Sequence, residues 1–590
     1  MKKITTKLKN KLYEFFEINY GLKDKLPQAK IERTKEGFEG DFSLNIFPFV
    51  KFSRTKPEEL AEQIGKFFLN EISEIESYNV VKGFLNITLT NDFWKDFSKT
   101  SVKSIMFNSD YSQNKIVLEF SSPNTNKPQH LGHIRNNLLG ESISNILKLT
   151  GAKVIKVNLI NDRGIHICKS MLAWMKWGNG KTPADVGIKG DKFVGEFYVL
   201  FEKKYKEQVQ ELIKAGIPEE KAKKEASLLK EAQKLLEKWE TSDPETIKVW
   251  EMMNNWVYEG FEETYKTLGV SFDKIYYESK TYKKGKEFVY EGLKKGVFYK
   301  EKDGSVWVDL TDANLDKKLL LRADQTSVYI TQDIGTFVIR DNEFNADKYM
   351  YVVGNEQEYH FKVLQEILNK LGIDGQKVVH ISYGMVNLPS GKMKSREGTI
   401  VDADDLINEV IEKAKERAEE LGKLNNFTEE EKKRIYKIIG LGALKYFILK
   451  IDAKKDMLFN PQQSVDFEGN TAPFVQYTYV RIKSLLKKAE EKGINEFCLK
   501  VLDKPIKTIL KKLYEYPSVI EKASNTLNPA IIANYVYNLA RDFNQFYQQN
   551  PILKTENEDI KESRLFVSKL VAEYIEFSLS LFGIEVPEKM

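Results

Sequence analysis

Residues 115–160 read KIVLEFSSPNTNKPQHLGHIRNNLLGESISNILKLTGAKVIKVNLI. The first six of them, KIVLEF, have the pattern of a buried strand, and a loop rich in Pro and Asn follows. Residues 131–149 then place apolar side chains at helical spacing, with Gly151 as a stop signal before a second strand at 154–160. A strand, a helix and a strand within this length form a βαβ unit. This unit predicts a parallel sheet that binds its ligand at the carboxyl ends of the strands.

The junction between the loop and the helix reads HLGH, in a chain with only five histidines. A helix N-terminus after a parallel strand presents free N–H groups and a partial positive charge, which suit a phosphate. Gly132 allows a flat ring to approach the backbone, and His130 and His133 can donate hydrogen bonds to phosphate oxygens. Neither a P-loop nor a G-x-G-x-x-G dinucleotide motif is present at this junction. On these residues alone, a helix cap with two incidental histidines is an equal alternative.

A second basic motif, GKMKSREGT, occupies residues 391–399, after the strand-like VVHISYGMV. Two lysines and an arginine between glycines can form a clamp for a polyphosphate. Taken alone, such a loop is usually a solvated turn. Its position after a strand, far downstream of HLGH, favours a functional loop that acts together with the first motif.

Together the two motifs resemble the HIGH and KMSKS signatures of class I aminoacyl-tRNA synthetases. The wider sequence resembles the arginyl-tRNA synthetase family over essentially the whole chain. The matching segments are SSPNTNKPQHLGHIRNNLLG (121–140), YITQD (329–333), VVGNEQEYHF (352–361), FEGNT (467–471) and LFGIEVPEKM (581–590). The chain departs from the KMSKS pattern at Ser395, where most class I enzymes have a lysine, and Glu397 stands where the family often has one.

The resemblance implies an arginine–tRNA ligase, which makes arginyl-adenylate from ATP and arginine and transfers the arginyl group to the 3′-terminal adenosine of tRNA(Arg). The residues that it implies for ATP and catalysis are Lys127, His130, Gly132, His133, Lys392, Met393 and Ser395. Mg²⁺ is expected to accompany ATP, and no zinc is expected. Lys127 is expected to replace the missing lysine at Ser395, with a simple solvated loop charge as the alternative.

An arginine pocket is also expected at the carboxyl end of the sheet. The residues that the resemblance implies for it are Glu119, Ser122, Asn124, Tyr329, Asp333 and Gln357. A guanidinium is planar and always charged, and carboxylates bind it best. Tyr329 and Asp333 are four residues apart, so they share one face if this segment opens a helix. Alone, Asp333 would read as a helix cap or a surface acid.

Two tRNA contacts follow from the same resemblance. Phe84 and Asn86 match residues that read a base of the D-loop, where an aromatic ring stacks and an amide hydrogen-bonds. A simple strand core is a nearly equal alternative for this pair. The positions that match those around the middle anticodon base are Phe474, Arg481, Tyr535 and Met590. Other aromatic residues there, such as Tyr537 and Phe543, are expected in the core.

Length and composition set the remaining limits. A chain of 590 residues needs several domains, and its net charge of +5 means that any affinity for nucleic acid comes from local patches. Cys168 and Cys498 are too far apart for a Cys-rich zinc site, and two cysteines form no disulfide framework. No stretch reaches 18 apolar residues. A cytoplasmic protein without a membrane span is expected, with a monomer as the default.

The predicted fold is an α/β Rossmann-type catalytic domain with an insertion, an N-terminal α+β domain and an all-α C-terminal anticodon-binding bundle. The expected boundaries are 1–112 for the N-terminal D-loop domain, 113–400 for the catalytic domain with an insertion at about 165–320, 401–465 for a helical linker, and 466–590 for the bundle. Within the insertion, the charged run 203–239 has the pattern of a solvated helical hairpin.

Three rival functions predict different features. A small nucleotidylyltransferase with an HxGH motif needs neither an N-terminal accessory domain nor a helical C-terminal domain, and this chain is expected to have both. A synthetase-like paralogue that has lost catalysis predicts eroded motifs, whereas the histidines and loop lysines are intact. Tyr329, Asp333 and Glu119 argue against a class I enzyme for an apolar amino acid.

Overall fold

The structure of the protein is a computed structural model that describes residues 3–22, 26–35, 37–389, 401–420 and 427–589. The predictions for Lys392, Met393, Ser395 and Met590 therefore lie outside the described residues. Within these ranges, no helix is long and apolar enough to cross a membrane.

The N-terminal region is a four-stranded antiparallel sheet covered by helices. Its elements are α1 (Lys3–Tyr20), β1 (Ile31–Arg33), β2 (Phe42–Asn45), α2 (Phe47–Ser53), α3 (Pro57–Glu71), β3 (Ile75–Val81), β4 (Phe84–Leu89) and α4 (Asn91–Ser98). The strand order is β1-β2-β4-β3. Helix α3 packs against β3 with Leu60, Ile64 and Phe68, which recur at helical spacing and are buried.

The predicted βαβ unit is confirmed as β5 (Lys115–Glu119), α5 (Leu131–Leu149) and β6 (Lys153–Ile160). Helix α5 is buried on most of its surface, and it ends where Gly151 takes a left-handed φ of 92°. The two strands pair in parallel, with Ile116 opposite Val154 and Glu119 opposite Val157.

The segment after β6 is helical and then returns to the sheet. Its elements are α6 (Ile165–Trp177), α7 (Pro183–Val186), α8 (Gly190–Lys214), α9 (Glu219–Glu225), α10 (Ser227–Glu240), α11 (Pro244–Leu268) and β7 (Lys274–Tyr277). Strand β7 pairs in parallel with β6 and therefore belongs to the central sheet. The prediction that the whole range 165–320 is an insertion is wrong for this strand. Four residues, KIYY, are too short to show the period-2 pattern of a strand, and their partner strand lies over 100 residues upstream.

A small antiparallel sheet follows before the chain completes the parallel one. The elements are α12 (Glu278–Thr281), α13 (Lys284–Lys294), β8 (Tyr299–Lys300), β9 (Val306–Val308), β10 (Lys318–Leu321), α14 (Tyr329–Phe344), β11 (Lys348–Gly354), α15 (Glu358–Lys370) and β12 (Val378–Tyr383). The central sheet has the order β12-β11-β5-β6-β7, with all pairs parallel. From β5 the chain adds β6 and β7 on one side and later adds β11 and β12 on the other side. The switch in strand order therefore lies between β5 and β11, which is where such sheets bind ligands.

The rest of the chain is almost wholly helical, as predicted from residue 402 onward. Its elements are β13 (Val386–Asn387), α16 (Ala403–Glu420), α17 (Glu429–Leu449), β14 (Met457–Leu458), α18 (Pro461–Ser464), α19 (Ala472–Glu490), α20 (Lys504–Tyr514), α21 (Tyr516–Asn525), α22 (Ala530–Gln549) and α23 (Glu558–Ser580). One continuous apolar core joins the N-terminal sheet, one face of the central sheet and this bundle. The predicted fold class is confirmed.

Candidate active site

The loop between β5 and α5 has a strained backbone that buried polar groups hold in place. Ser121 and Ser122 both adopt left-handed φ values, 78° and 47°. The N–H of Ser121 donates to Oδ1 of Asn136 at 2.5 Å, and the N–H of Ser122 donates to Oδ1 of Asn158 at 3.0 Å. Tyr265 bonds the Ser121 hydroxyl at 2.7 Å. The loop is therefore fixed by α5, β6 and α11 together.

The two histidines of HLGH cap helix α5 with their Nδ1 atoms. His130 Nδ1 accepts from the N–H of Gly132 at 3.1 Å, and His133 Nδ1 accepts from the N–H of His130 at 3.2 Å. Both rings are thus neutral with the proton on Nε2. Burial lowers the pKa of His130 to about 3 and that of His133 well below its ordinary value. The cap predicted as the alternative is present, and it leaves two Nε2–H donors for other partners.

Gly132 and Lys127 complete this end of the site. A Cβ on Gly132 would lie 2.9 Å from Cε1 of His130, so a larger residue would displace that ring. Lys127 is partly buried, and its positive charge contributes to the lowered pKa of both histidines. Burial lowers the pKa of Lys127 itself. Lys127 therefore adds positive charge beside the helix N-terminus.

Glu119, at the end of β5, forms an ion pair with a buried arginine of the same chain. One carboxylate oxygen lies against the guanidinium of Arg340 on α14, and the other accepts from the Ser122 hydroxyl at 3.1 Å. Arg340 is fully buried, and its guanidinium lies 4.9 Å from the ring centroid of Tyr276. Arg340 therefore holds Glu119, which is predicted to contact the substrate arginine, in a fixed position.

Tyr329 and Asp333 lie on the first turns of α14, as predicted. Asp333 Oδ2 is 2.6 Å from Nε2 of His360 on α15. Tyr329 is 82% exposed, so its ring is available to a ligand. Asn124 and Gln357 are also exposed, in the loop before α5 and in a short 3₁₀ turn after β11. The predicted arginine residues Glu119, Ser122, Asn124, Asp333 and Gln357 thus lie around the carboxyl ends of β5 and β11, and Tyr329 lies one helical turn before Asp333.

Further acids, which the sequence reasoning missed, lie near the same end of the sheet. Asp162 follows β6 and accepts hydrogen bonds from Ser279 and Tyr258, although burial still raises its pKa. Glu278 follows β7, and burial together with the like charges of Asp162 and Asp333 raises its pKa. A signal existed for Asp162, which lies two residues after a predicted strand.

The segments that flank residues 390–400 both contact the start of α5. Arg135, which is fully buried, donates to the carbonyls of Gly384 at 2.8 Å and Met385 at 3.1 Å. On the other side, the N–H of Ala403 donates to the carbonyl of Gln129 at 2.9 Å. The chain enters and leaves the second basic motif beside the HLGH helix. Arg135 was also missed, although a charge inside an apolar helix pattern signals a specific partner.

The predicted D-loop residues line a basic groove in the N-terminal region. The groove has a volume of about 240 Å³ and contains Phe84 and Asn86. Phe84 is partly exposed, whereas Asn86 is buried and donates to Oδ1 of Asn79 at 3.0 Å. The other charged or aromatic side chains that line the groove are Lys30, Glu32, Arg33, Lys35, Phe38 and Lys82. A groove with aromatic rings and lysines suits a nucleotide.

Among the predicted anticodon residues, Phe474 and Arg481 are partly exposed, whereas Tyr535 is buried. Arg481 lines a pocket of about 600 Å³ and donates to Asn544 at 2.6 Å. Phe474 contacts the ring of Tyr537 at a centroid distance of 5.4 Å, and both side chains are partly buried and pack against the core, as expected for Tyr537. Tyr535 is only 5% exposed, and its hydroxyl donates to the carbonyl of Lys512 at 2.8 Å. The structure therefore argues against Tyr535 as a base contact.

This fold and this site define a class. A parallel sheet of this order, HLGH at the start of its first helix, a basic groove in an N-terminal region and a helical C-terminal bundle are the features of a class I aminoacyl-tRNA synthetase.

Comparison with known proteins gives the particular family. A family model described as the catalytic domain of class I (R) tRNA synthetases matches residues 100–461. Models for the N-terminal domain of arginyl-tRNA synthetase and for the DALR anticodon-binding domain match residues 2–89 and 475–590. The chain belongs to the arginyl-tRNA synthetase family, whose reaction is the charging of tRNA(Arg) with arginine. The resemblance found in the sequence is confirmed.

Similar proteins support the same family over the full length. The chain is 50% identical to an arginine–tRNA ligase of Bacteroides fragilis and 51% identical to one of Phocaeicola vulgatus, with 100% of both chains covered in each case. The fold is similar to arginyl-tRNA synthetase of Thermus thermophilus, with a TM-score of 0.78 and 21% identity over 100% of both chains. It is also similar to the Plasmodium falciparum enzyme, with a TM-score of 0.75 and 20% identity over 100% of this chain and 99% of that one.

Proposed function

We propose that this chain performs its family's reaction at the carboxyl ends of β5 and β11, with ATP against the HLGH helix and arginine against α14. The observation that carries the proposal is the pairing of two Nε2–H donors at a helix N-terminus with carboxylates at the same sheet edge. Such a site matches a substrate set with one polyphosphate and one guanidinium.

In the first step, an oxygen of the arginine carboxylate attacks the α-phosphorus of ATP. A bond forms between that carboxylate oxygen and the α-phosphorus as the bond from the α-phosphorus to the oxygen that bridges it to the β-phosphate breaks, and pyrophosphate leaves with the bridging oxygen. His130 and His133 donate through Nε2 to phosphate oxygens that gain negative charge. Lys127 supplies positive charge beside them, and Lys392, Met393 and Ser395 are proposed to act on the same phosphates. In the second step, a hydroxyl of the terminal tRNA ribose attacks the arginyl carbonyl, and AMP leaves.

The arginine side chain is proposed to lie along the first turn of α14. Asp333 receives the guanidinium, Tyr329 covers it, and Glu119 adds a second carboxylate whose position Arg340 maintains. Ser122, Asn124 and Gln357 complete the proposed contacts, which are with the α-amino and α-carboxylate end of the arginine. Because several acids share this edge of the sheet, a ligand with two positive groups fits its charge better than an uncharged one.

Mg²⁺ is proposed to bind with ATP rather than in a cage of the protein. Among the described residues, no group of three or more His, Cys, Asp or Glu side chains is placed to hold a metal ion. This arrangement fits Mg²⁺, which keeps several waters and usually binds through substrate phosphates. When bound, the ion neutralises part of the phosphate charge.

Two regions are proposed to bind tRNA. Phe84 and Asn86 in the N-terminal groove would bind a D-loop base, and Phe474, Arg481 and Met590 would surround the middle anticodon base. We retain the division into 1–112, 113–400, 401–465 and 466–590 as a proposal. A monomer in the cytoplasm likewise remains a prediction.

An exchange assay tests this function. The purified protein is incubated with ATP, labelled pyrophosphate, total tRNA and each of the twenty amino acids in turn. Arginine alone should support exchange, and omission of tRNA should abolish it if tRNA completes the site. Exchange with another amino acid would overturn the proposed pocket, and exchange without tRNA would overturn the role of tRNA in activation.

A further inference from the structure

Lys445 lies where the C-terminal bundle, the catalytic region and the end of the chain meet. It belongs to α17 and is 4% exposed. Its Nζ donates to the carbonyl of Gly583 at 2.5 Å. Gly583 belongs to residues 581–589, which follow α23 and which we call the tail. Lys445 therefore fastens the tail to α17.

The same ammonium group also lies close to the backbone of the catalytic region. A Cβ on Gly269, at the end of α11, would lie 3.6 Å from Nζ, and a Cβ on Gly583 would lie 3.4 Å away. Both glycines have left-handed φ values, 69° and 60°. Nζ therefore lies between two tight backbone turns, one in the catalytic region and one in the tail.

The charge of Lys445 is poorly compensated. Burial lowers its pKa to about 8, whereas the carboxylates of Glu585 on the tail and Glu141 on α5 raise it. Within the described ranges, no carboxylate lies within 4 Å of Nζ, and Glu141 is already paired with Lys156 at 2.9 Å. Burying an ammonium in this way is costly, so a methionine at this position would give a more stable chain if packing were its only role.

The tail connects two parts of the protein that have different tasks. Asn145 on α5 donates to the carbonyl of Leu581 at 3.3 Å, and Gln476 on α19 donates to the carbonyl of Glu585 at 2.7 Å. Gln476 lies five residues before Arg481 on the same helix. Asn145 lies twelve residues after His133 on α5, a distance of roughly 18 Å along a rigid helix.

We propose that Lys445 is a positioning residue that holds the tail against α5, so that tRNA binding to the bundle changes the placement of His130 and His133. The inference rests on the proposed function, because it assigns Arg481 to the anticodon and the histidines to ATP. The tail would transmit the change, because Gln476 on α19 and Asn145 on α5 both donate hydrogen bonds to it. Couplings between sites of this kind are typically about 5–150-fold in an equilibrium.

The test compares two tRNAs on two enzymes. Charging is measured with a tRNA(Arg) transcript and with the same transcript changed at the middle anticodon base, for the wild type and for Lys445→Met. Methionine keeps the unbranched apolar stem of the side chain and removes the ammonium. The ratio of kcat/KM values between the two transcripts should fall at least about 5-fold in the variant, mainly through a lower kcat on the unchanged transcript. A purely structural defect would lower both values and leave the ratio unchanged.

Two further variants make the test decisive. Asn145→Ala removes the contact between the tail and α5 but leaves Lys445 in place, and it should reduce the ratio as well, even if Lys445→Met fails to fold. Lys450→Met is the matched control, since Lys450 also donates to a carbonyl, that of Asn470 at 2.7 Å, but does so within the bundle. Its ratio should equal that of the wild type.

An unchanged ratio in a folded Lys445→Met or Asn145→Ala enzyme would overturn the inference, as would a wild type that ignores the anticodon change. Charging of tRNA(Arg) by the wild type separates these outcomes from failure of the proposed function, because it tests that function directly.

Discussion

His130 uses its two ring nitrogens for different purposes. Nδ1 caps α5 by accepting from Gly132, and Nε2 carries the proton that is proposed to reach a phosphate. Asparagine is among the strongest N-cap residues, so His130→Asn keeps the cap and removes only the distal donor. Adenylate formation should fall by about 10²–10³, the usual effect of losing one donor to a transition state. Pyrophosphate exchange and thermal unfolding of the variant measure the two effects separately.

The matched control at this position is His130→Ala. It should lose a similar amount of activity and, because alanine cannot cap, about 1 kcal/mol of stability as well. If His130→Asn kept nearly full exchange activity, His130 would be a cap and nothing more.

Asp333 is expected to supply the charge that selects arginine. Asp333→Asn keeps the shape of the side chain but removes its charge, so the KM for arginine should rise by a factor that corresponds to roughly 2–5 kcal/mol. Asp341→Asn is a control on the same helix, since Asp341 accepts from Tyr349 at 2.8 Å, away from the site. Steady-state exchange at varied arginine measures both. A normal KM in Asp333→Asn would remove this residue from the pocket.

At the scale of elements, the accuracy of the sequence-based predictions depended on pattern length. Helix α5 was predicted to the residue because five apolar positions and a terminal glycine define it. Strand β7 was missed because four residues carry too little periodicity. Tyr535 and Tyr537 are two positions apart on α22, about 200° around the helix, so they face different ways. Sequence similarity alone does not show which of them reaches the surface.

The contacts between α8 and α16 also escaped the sequence, because charges far apart in the chain meet there. Lys189 donates to Asp404 on α16 at 2.5 Å, and the neighbouring Asp191 is almost fully buried. Burial raises the pKa of Asp191 to about 6, and the charges of Asp404 and Asp402 add to this effect, whereas Lys189 opposes it. At neutral pH the folded protein therefore holds an ionised Asp191 carboxylate whose burial costs stability.

Asp191→Asn should consequently stabilise the protein in a pH-dependent way. In the wild type, the folded state binds more protons than the unfolded state between pH 4 and 6, so its stability declines as pH rises through this range. The variant lacks this decline. Its advantage should grow by about 1.4 kcal/mol from pH 5 to pH 8, because about one unit of the shift in pKa is titrated between these two pH values. Denaturant unfolding of both proteins at the two pH values measures it, and an advantage that shrinks with rising pH would contradict the assignment.

At the scale of the whole molecule, the N-terminal region is fastened to the bundle by one face of α20. Lys507, Lys511 and Tyr514 recur at helical spacing on that face. The ring of Tyr514 lies among four aromatic rings of the N-terminal region, those of Phe42, Phe93, Trp94 and Phe97. The two regions proposed to read separate parts of the tRNA are therefore held at a fixed spacing, which suits recognition of one rigid, folded RNA.

Asp41 is the buried anion on which this contact depends. It is 2% exposed, and its carboxylate lies 2.5 Å from Nζ of Lys511 and 3.2 Å from Nζ of Lys507. Asp41→Asn leaves two partly buried lysines without their counter-charge, which should cost about 3–5 kcal/mol of stability. The KM for tRNA should rise because the two reading regions lose their fixed spacing, and the KM for arginine should stay unchanged because its pocket is remote.

The control for Asp41 comes from the same interface. Arg33 and Glu515 form a more exposed pair at 3.6 Å between the same two regions. Glu515→Gln should cost less than about 1 kcal/mol and raise neither KM value. Thermal unfolding and charging kinetics are measured on the full chain for each variant. The N-terminal region and α20 share one continuous core with the catalytic sheet, so a loss of stability would unfold them together. Such a loss would lower the amount of folded enzyme but would raise neither KM. A rise in the KM for tRNA alone would identify the spacing of the two regions as the property that Asp41 maintains, and equal rises in both KM values would refute it.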